Sequence, residues 1–245
     1  MERRLEVGPT LSEVFAIYRD QAGVLLPVAF WLFLAVAIVD GLTEGNFSLF
    51  WIGLVVGLAV GTLYQGMVVT LVQDVQDGRH DSGVGDLMRS ALPVLGALLG
   101  AGILAGLGVG AGFVLLIVPG LYLATIWAVI APAIVIERRG VFDAFGRSRQ
   151  LVKGQGWPVL GTIVVAYLIS FIAGLAFIAI ANSIADGPLL RIVFSALAST
   201  ITAPVAALVA AVLYFRLLAI KRESAPAAAP AEPDSVPQQP GDGLG

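Results

Sequence analysis

The chain has 245 residues, of which 58% are hydrophobic and 13% charged, and its mean hydropathy is +0.92. A soluble domain cannot bury that much apolar surface, because exposed area grows too quickly relative to volume, so the composition predicts a polytopic helical membrane protein. It has no cysteine and a single histidine, His80, which excludes disulfides, thiol nucleophiles and His-rich metal centres; no metal or other cofactor is expected, and the net charge of −3 says less than the placement of the cations.

Residues 1–9 form a polar lead. Arg3 and Arg4 are mixed with Glu2 and Glu6, and Glu13 and Asp20 follow before the first apolar run. That is too acidic for a cleavable signal, so the first run is expected to stay in the mature protein. Six apolar runs follow, at about 24–42, 48–73, 92–109, 112–136, 157–180 and 190–217, each matching the roughly 30 Å hydrocarbon core of a bilayer. The expected fold is all-α, with six transmembrane helices in a membrane domain over 10–222. The turn between the third and fourth runs falls either in the glycine run from Gly106 to Gly112 or at Pro119-Gly120. Residues 223–245 are rich in Pro and Ala and lack Lys and Arg, which predicts a disordered cytoplasmic tail.

The cations alternate with the runs. Arg3, Arg4 and Arg19 precede the first; Arg79 and Arg89 separate the second and third. Arg138, Arg139, Arg147, Arg149 and Lys153 separate the fourth and fifth, and Arg216, Lys221 and Arg222 close the sixth. Only Arg191 falls on the other side. The positive-inside rule then places both termini in the cytoplasm. Twelve Arg against two Lys, with abundant Ala, Gly and Val, points to a GC-rich bacterial genome, so the expected location is a bacterial inner membrane.

A threefold repeat underlies this plan. Thr10-Leu-Ser-Glu13, Gly83-Val-Gly-Asp86 and Gly140-Val-Phe-Asp143 each set an acid three residues after a capping type, the spacing at which a carboxylate reaches back to free N–H groups. Glu13, Asp86 and Asp143 are therefore expected as helix-cap acids. A short amphipathic segment and then a proline follow each one, at Pro27, Pro93 and Pro158. The expected unit is an interfacial helix plus a transmembrane hairpin, with the middle copy about two turns shorter.

The third copy is the most basic. Plotted at 100° per residue, Val141, Phe142, Ala144, Phe145, Ser148, Leu151 and Val152 fall on one half of the wheel; Asp143, Gly146, Arg147, Gln150 and Lys153 fall on the other, with Arg149 near the border. That pattern predicts a helix lying in the membrane interface. Arg138, Arg139, Arg147, Ser148, Arg149 and Lys153 are the candidate contacts for an anionic headgroup in the cytoplasmic leaflet or for a protein partner.

Ile117-Val-Pro-Gly-Leu-Tyr-Leu123, Trp127, Ala131-Pro-Ala-Ile-Val-Ile-Glu137 and Ala144-Phe-Gly-Arg-Ser-Arg-Gln-Leu-Val-Lys-Gly154 together resemble the membrane domain of glycerophosphoryl diester phosphodiesterases and its stand-alone bacterial relatives. The resemblance covers roughly 8–222 and is most specific over 115–161. It implies a six-helix integral membrane fold, sometimes fused to a catalytic α/β barrel that uses two histidines and metal-binding carboxylates. With one histidine and no soluble segment of that length, no phosphodiesterase activity is expected.

Within the runs no Asp, Glu, Lys, Arg or His lies clearly at mid-depth, which argues against a proton-coupled carrier. Neutral polar residues such as Thr62, Tyr64, Gln65, Thr125, Tyr167, Thr200 and Thr202 are expected to bond across helices. Gly53, Gly57, Gly61, Gly96, Gly100, Gly102 and Gly106 recur at small-residue spacing and are expected at helix–helix contacts. Pro119, Gly120, Pro132, Thr202 and Pro204 are the candidates for hinges or a solute path, since proline frees a carbonyl.

The expected function is non-enzymatic: a scaffolding or membrane-homeostasis role, with anionic lipids or a protein as partner and no nucleic acid. A transporter or channel for a small or lipid-like solute is the second reading. A membrane-embedded lipid enzyme is the third, disfavoured because no paired acid/base constellation is visible.

Overall fold

A computed structural model describes residues 5–43, 45–78, 83–184 and 187–223. Arg3, Arg4, Glu44, Arg79, His80, Asp186 and the expected tail from 224 onward lie outside them. Among the described residues the chain is almost entirely helical and has no strand. Its helices are α1 (Val7–Asp20), α2 (Ala22–Thr43), α3 (Phe47–Gln76), α4 (Val84–Ala91), a 3-10 turn (Leu92–Val94), α5 (Leu95–Leu115), α6 (Ile117–Ile126), α7 (Ile130–Glu137), α8 (Val141–Val152), α9 (Gly156–Ile184) and α10 (Pro188–Glu223).

Six segments are long and apolar enough to cross a bilayer: Ala22–Thr43, Leu49–Gln76, Val84–Leu115, Ile117–Glu137, Gly156–Ala181 and Leu189–Glu223. The protein is an all-α, multi-pass membrane protein, organised as three units of a short helix followed by a hairpin. The short helices α1, α4 and α8 have 14, 8 and 12 residues, so the middle copy is the shortest. Because the six spans alternate in direction, these three helices share one end of the bundle, here called the basic end.

Two features of the repeat differ from expectation. Helix α1 starts at Val7, inside the expected lead, so Glu13 lies in its second turn and caps nothing. Asp86 and Asp143 do sit in the first turns of α4 and α8, after extended N-cap glycines Gly83 and Gly140, where a carboxylate favours the exposed N–H groups. Pro27 lies inside α2 rather than opening it, because α2 begins at Ala22 after a single cap residue, Gln21.

The third and fourth spans reverse at neither expected place. The corner is Leu116 alone, extended at φ −163° and ψ 151°. The run from Gly106 to Gly112 is helical within α5, and Pro119-Gly120 belongs to the first turn of α6. Glycine is tolerated inside membrane helices, where it lets backbones approach. Here a Cβ on Gly112 would lie 2.9 Å from both Cα and N of Gly120, and a Cβ on Gly120 would lie 2.5 Å from the Phe113 ring. Absent side chains on both sides let the chain reverse in one residue.

Small residues elsewhere follow the expectation in part. Gly53 packs under Asp40 and Thr43, Gly57 faces Val36, and Gly100 faces Val141. Among the described residues nothing lies within 4 Å of where a Cβ on Gly61, Gly96, Gly102 or Gly106 would be, so these four mark no close helix approach there. The tightest unforeseen approach is Gly108, where a Cβ would lie 2.6 Å from the Trp127 ring.

The core is concentrated toward the basic end. Val205, Leu208, Val212, Leu213 and Leu217 of α10 are buried together with Val14 of α1, Val68 and Val72 of α3, Ile134 of α7 and Leu151 of α8. Helix α10 is the central post, with 61% of its span window buried, whereas α9 has 6% and faces outward. Along the outside of the spans and at the opposite end, large apolar residues such as Trp31, Trp51, Val114 and Phe171 are exposed, as suits surfaces facing lipid.

Candidate functional site at the basic end

Helix α7 ends at Glu137, and Arg138 closes it in a left-handed conformation at φ 53°. A non-glycine residue there costs on the order of 1–2 kcal/mol; the Arg138 guanidinium, donating to the Ser90 carbonyl at 3.4 Å, is one contact offsetting it. The reversal returns the chain to Gly140 and α8, which runs beside α7.

Glu137 becomes the node of this end, with its side chain 16% exposed. Arg147 Nε of α8 donates to Oε1 at 2.8 Å and to Oε2 at 3.0 Å. Arg139 Nε donates to Oε2, and the Tyr214 phenol of α10 donates to Oε1 at 2.7 Å. One carboxylate thus joins α7, α8 and α10 through charge-assisted bonds. Arg139 and Arg147, expected to face headgroups, pair with Glu137 instead, Arg147 half-buried and Arg139 more exposed.

Ser148 has a different place from the one its sequence suggested. It is fully buried, its hydroxyl donates to the Ile126 carbonyl at 2.8 Å, and it accepts from the Val129 N–H at 3.3 Å. Those groups flank Trp127–Val129, the break between α6 and α7. Pro132 sits at the third position of α7, where the lack of an N–H is harmless, but it could not continue an unbroken α6. Ser148 satisfies the backbone that the break exposes and is not free for a headgroup.

The apolar half of the α8 wheel is kept except at Phe142, but what it meets differs from expectation. Ala144, Ser148, Leu151 and Val152 are buried in the bundle, and Phe145 stacks edge-on against Trp127 at 4.9 Å. The apolar face is therefore taken by protein rather than lipid. Phe142, by contrast, is 81% exposed and shares its stripe with Arg149 and Lys153, seven and eleven residues later. Arg149 and Lys153 are exposed, and neither side chain has an ion pair or hydrogen bond among the described residues; the Lys153 carbonyl accepts from Lys221 Nζ at 2.8 Å. Trp157, 85% exposed, follows in the first turn of α9.

A second node lies one helical face away on α10. Arg216 Nε donates to Glu13 Oε2 at 2.6 Å and its Nη2 to the Pro9 carbonyl at 3.0 Å, while Gln76 donates to Glu13 Oε1 at 3.0 Å. Sequence reasoning counted Arg216 as a topological charge and passed over Tyr214. The available signal was polar residues two apart in a run otherwise apolar, on nearly opposite faces of one helix.

The hinge and path candidates do not come together. Pro119 and Gly120 are at the α5–α6 corner, Pro132 is at the α7 start, and Thr202 and Pro204 lie within α10. Thr202 bonds back to the Ala198 carbonyl at 2.8 Å, Thr200 to Ala196 at 2.7 Å and Thr125 to Leu121 at 2.7 Å, all within their own helices rather than across them. Bonds between elements come instead from Tyr64 to the Leu25 carbonyl at 3.3 Å, Ser90 to Thr70 at 3.0 Å and Tyr18 to the Ile201 carbonyl at 3.2 Å. A cavity of about 530 Å³ lies between α3, α5, α6, α9 and α10, with an apolar wall interrupted by Gln65, Trp127 and Tyr167.

Compared with known proteins, the chain matches no family model, no characterised protein and no solved structure.

Proposed function

We propose that this multi-pass protein resides in a bacterial inner membrane with its basic end in the cytoplasm, and that it acts without catalysis, in scaffolding or membrane homeostasis, by holding anionic headgroups or a partner at that end. The observation carrying this reading is the α8 stripe: exposed Phe142 in line with Arg149 and Lys153, two cations with no anionic partner among the described residues. An aromatic ring at headgroup depth beside cations suits an anionic leaflet. Trp157 extends the same surface.

The test separates free cations from engaged ones. Each Lys or Arg near an anionic leaflet contributes about 1 kcal/mol, so Arg149→Gln with Lys153→Gln should weaken binding of anionic lipid to the purified protein about 30-fold. Arg139→Gln with Arg147→Gln should lower stability and leave lipid binding nearly unchanged. Unaltered lipid binding in the first variant overturns the reading.

A second reading, passage of a lipid-like solute, draws on the mid-bundle cavity, whose volume and few polar groups suit an apolar ligand. It requires solute flux in proteoliposomes that Ala206→Phe, which fills the cavity wall, abolishes. We also propose kinship with the membrane domain of glycerophosphoryl diester phosphodiesterases. Its support is that the resembling motifs fall on α6, α7 and α8, around the Leu116 corner, the α6–α7 break and Glu137.

A further inference from the structure

The end of the bundle opposite the basic end holds a cleft of about 920 Å³ between α2, α3 and the start of α10. Its wall changes in character with depth. Asp40, Thr43 and Arg191 lie within about one turn of the helix ends there, with Ser195 one turn further along α10. Leu54 and Leu58 of α3 line it deeper, Leu58 being about 16 Å along the helix from Phe47. The charged groups are confined to the mouth, beside the Phe47 and Phe50 rings, and the floor is apolar.

Two charges at this mouth have no partner among the described residues. Among the described residues, neither the Asp40 carboxylate nor the Arg191 guanidinium forms an ion pair, with the other or with any third group, and both are exposed. They are close in the fold all the same: a Cβ on Gly41 would lie 2.8 Å from Ile192 Cδ1, so the residues that follow them touch. Gly53 makes room for the carboxylate, since a Cβ there would lie 2.6 Å from Asp40 Oδ1. Arg191 is also the lone cation that the span order assigns to this end. Opposite charges at a membrane boundary, on neighbouring helices and unpaired, leave both signs available to a ligand.

We propose that this cleft binds a zwitterionic amphiphile, its ammonium against Asp40, its phosphate against Arg191 and its apolar part along Leu54 and Leu58. A guanidinium suits a phosphate through paired N–H donors, and an ammonium suits a carboxylate. An anionic lipid without an ammonium leaves Asp40 facing like charge, so the pair selects against it. The ligand is an ethanolamine phospholipid of the bilayer; a water-soluble ester of the same headgroup shares only the polar contacts.

Native mass spectrometry of the full chain, released from nanodiscs of phosphatidylethanolamine and phosphatidylglycerol in equal amounts, tests this. The protein should retain phosphatidylethanolamine in preference, and Asp40→Asn and Arg191→Gln should each reduce that retention about tenfold. Leu58→Trp, which leaves both charges in place and blocks the floor, should reduce it as well and covers the case of a charge variant that fails to fold. Displacement of the bound lipid by excess glycerophosphoethanolamine shows that the polar contacts dominate; displacement only by the diacyl lipid shows that the apolar floor is needed as well; both support the site. Equal retention of the two lipids, or full retention of phosphatidylethanolamine by folded Asp40→Asn and Leu58→Trp variants, overturns the proposal.

Discussion

The Tyr214 phenol donates a 2.7 Å hydrogen bond to Glu137 Oε1, fastening the central helix α10 to the end of α7. Arg147 completes the join from α8 with bonds to both carboxylate oxygens, so a single acid sets the relative position of three helices.

Loss of that acid leaves two guanidiniums and a phenol without their acceptor. Glu137→Ala should destabilise the protein by about 3 kcal/mol, and Tyr214→Phe, which removes one bond to a charged group, by about 1.5 kcal/mol. Thermal unfolding in detergent measures both. Arg147→Ala combined with Tyr214→Phe should be non-additive, because the two donors share one carboxylate.

Ser148→Ala separates support of the fold from contact with lipid. Removing the buried hydroxyl orphans the Val129 N–H and the Ile126 carbonyl, which costs about 1–3 kcal/mol. Chemical denaturation should show that loss, while anionic-lipid binding by the folded protein stays at the wild-type level. Weaker lipid binding by a fully folded Ser148→Ala protein would contradict the buried role.

Glycines in α5 and α6 should divide into two groups. Gly112→Ala and Gly120→Ala push against backbone and an aromatic ring, and each should destabilise by about 1–3 kcal/mol. Gly102→Ala and Gly106→Ala meet open space and should stay within about 0.5 kcal/mol of wild type. Thermal midpoints of the four variants test the division.

Much of this architecture was legible from sequence, for reasons particular to membranes. The bilayer fixes how long an apolar run must be, so six runs became six spans with boundaries close to those expected. The α5–α6 corner was not legible, because glycine marks a turn in water but is ordinary inside a membrane helix; the chain turned at Leu116, a residue with no turn chemistry. What α8 packs against was hidden for another reason. Core and lipid are both apolar, so a hydrophobic face does not say which of the two it meets, and Phe142 went outward while Leu151 went inward. The Glu137 node was invisible because Tyr214 lies 77 positions away in sequence.

Charge exchange should partly rescue the second node. Glu13→Arg and Arg216→Glu singly lose the 2.6 Å pair and should each cost about 1 kcal/mol, given that both side chains are roughly one-third exposed. The double exchange should recover part of that loss. Hydrogen exchange across Val7–Asp20 provides the local readout, rising in the single variants and falling again in the double.

That second node joins residues 203 positions apart, and Tyr18 reaches the Ile201 carbonyl across a separation of 183. Synthesis at about 5–20 residues per second separates the two sides of such a contact by roughly 10–40 s. During that interval α1 has emerged while its seat on α10 does not yet exist, and the faces of α3 and α7 that will enclose α10 are open to lipid or to insertion factors. Assembly of this bundle is therefore governed by its last helix, and a pause or a helper that shields the early spans would act before α10 arrives.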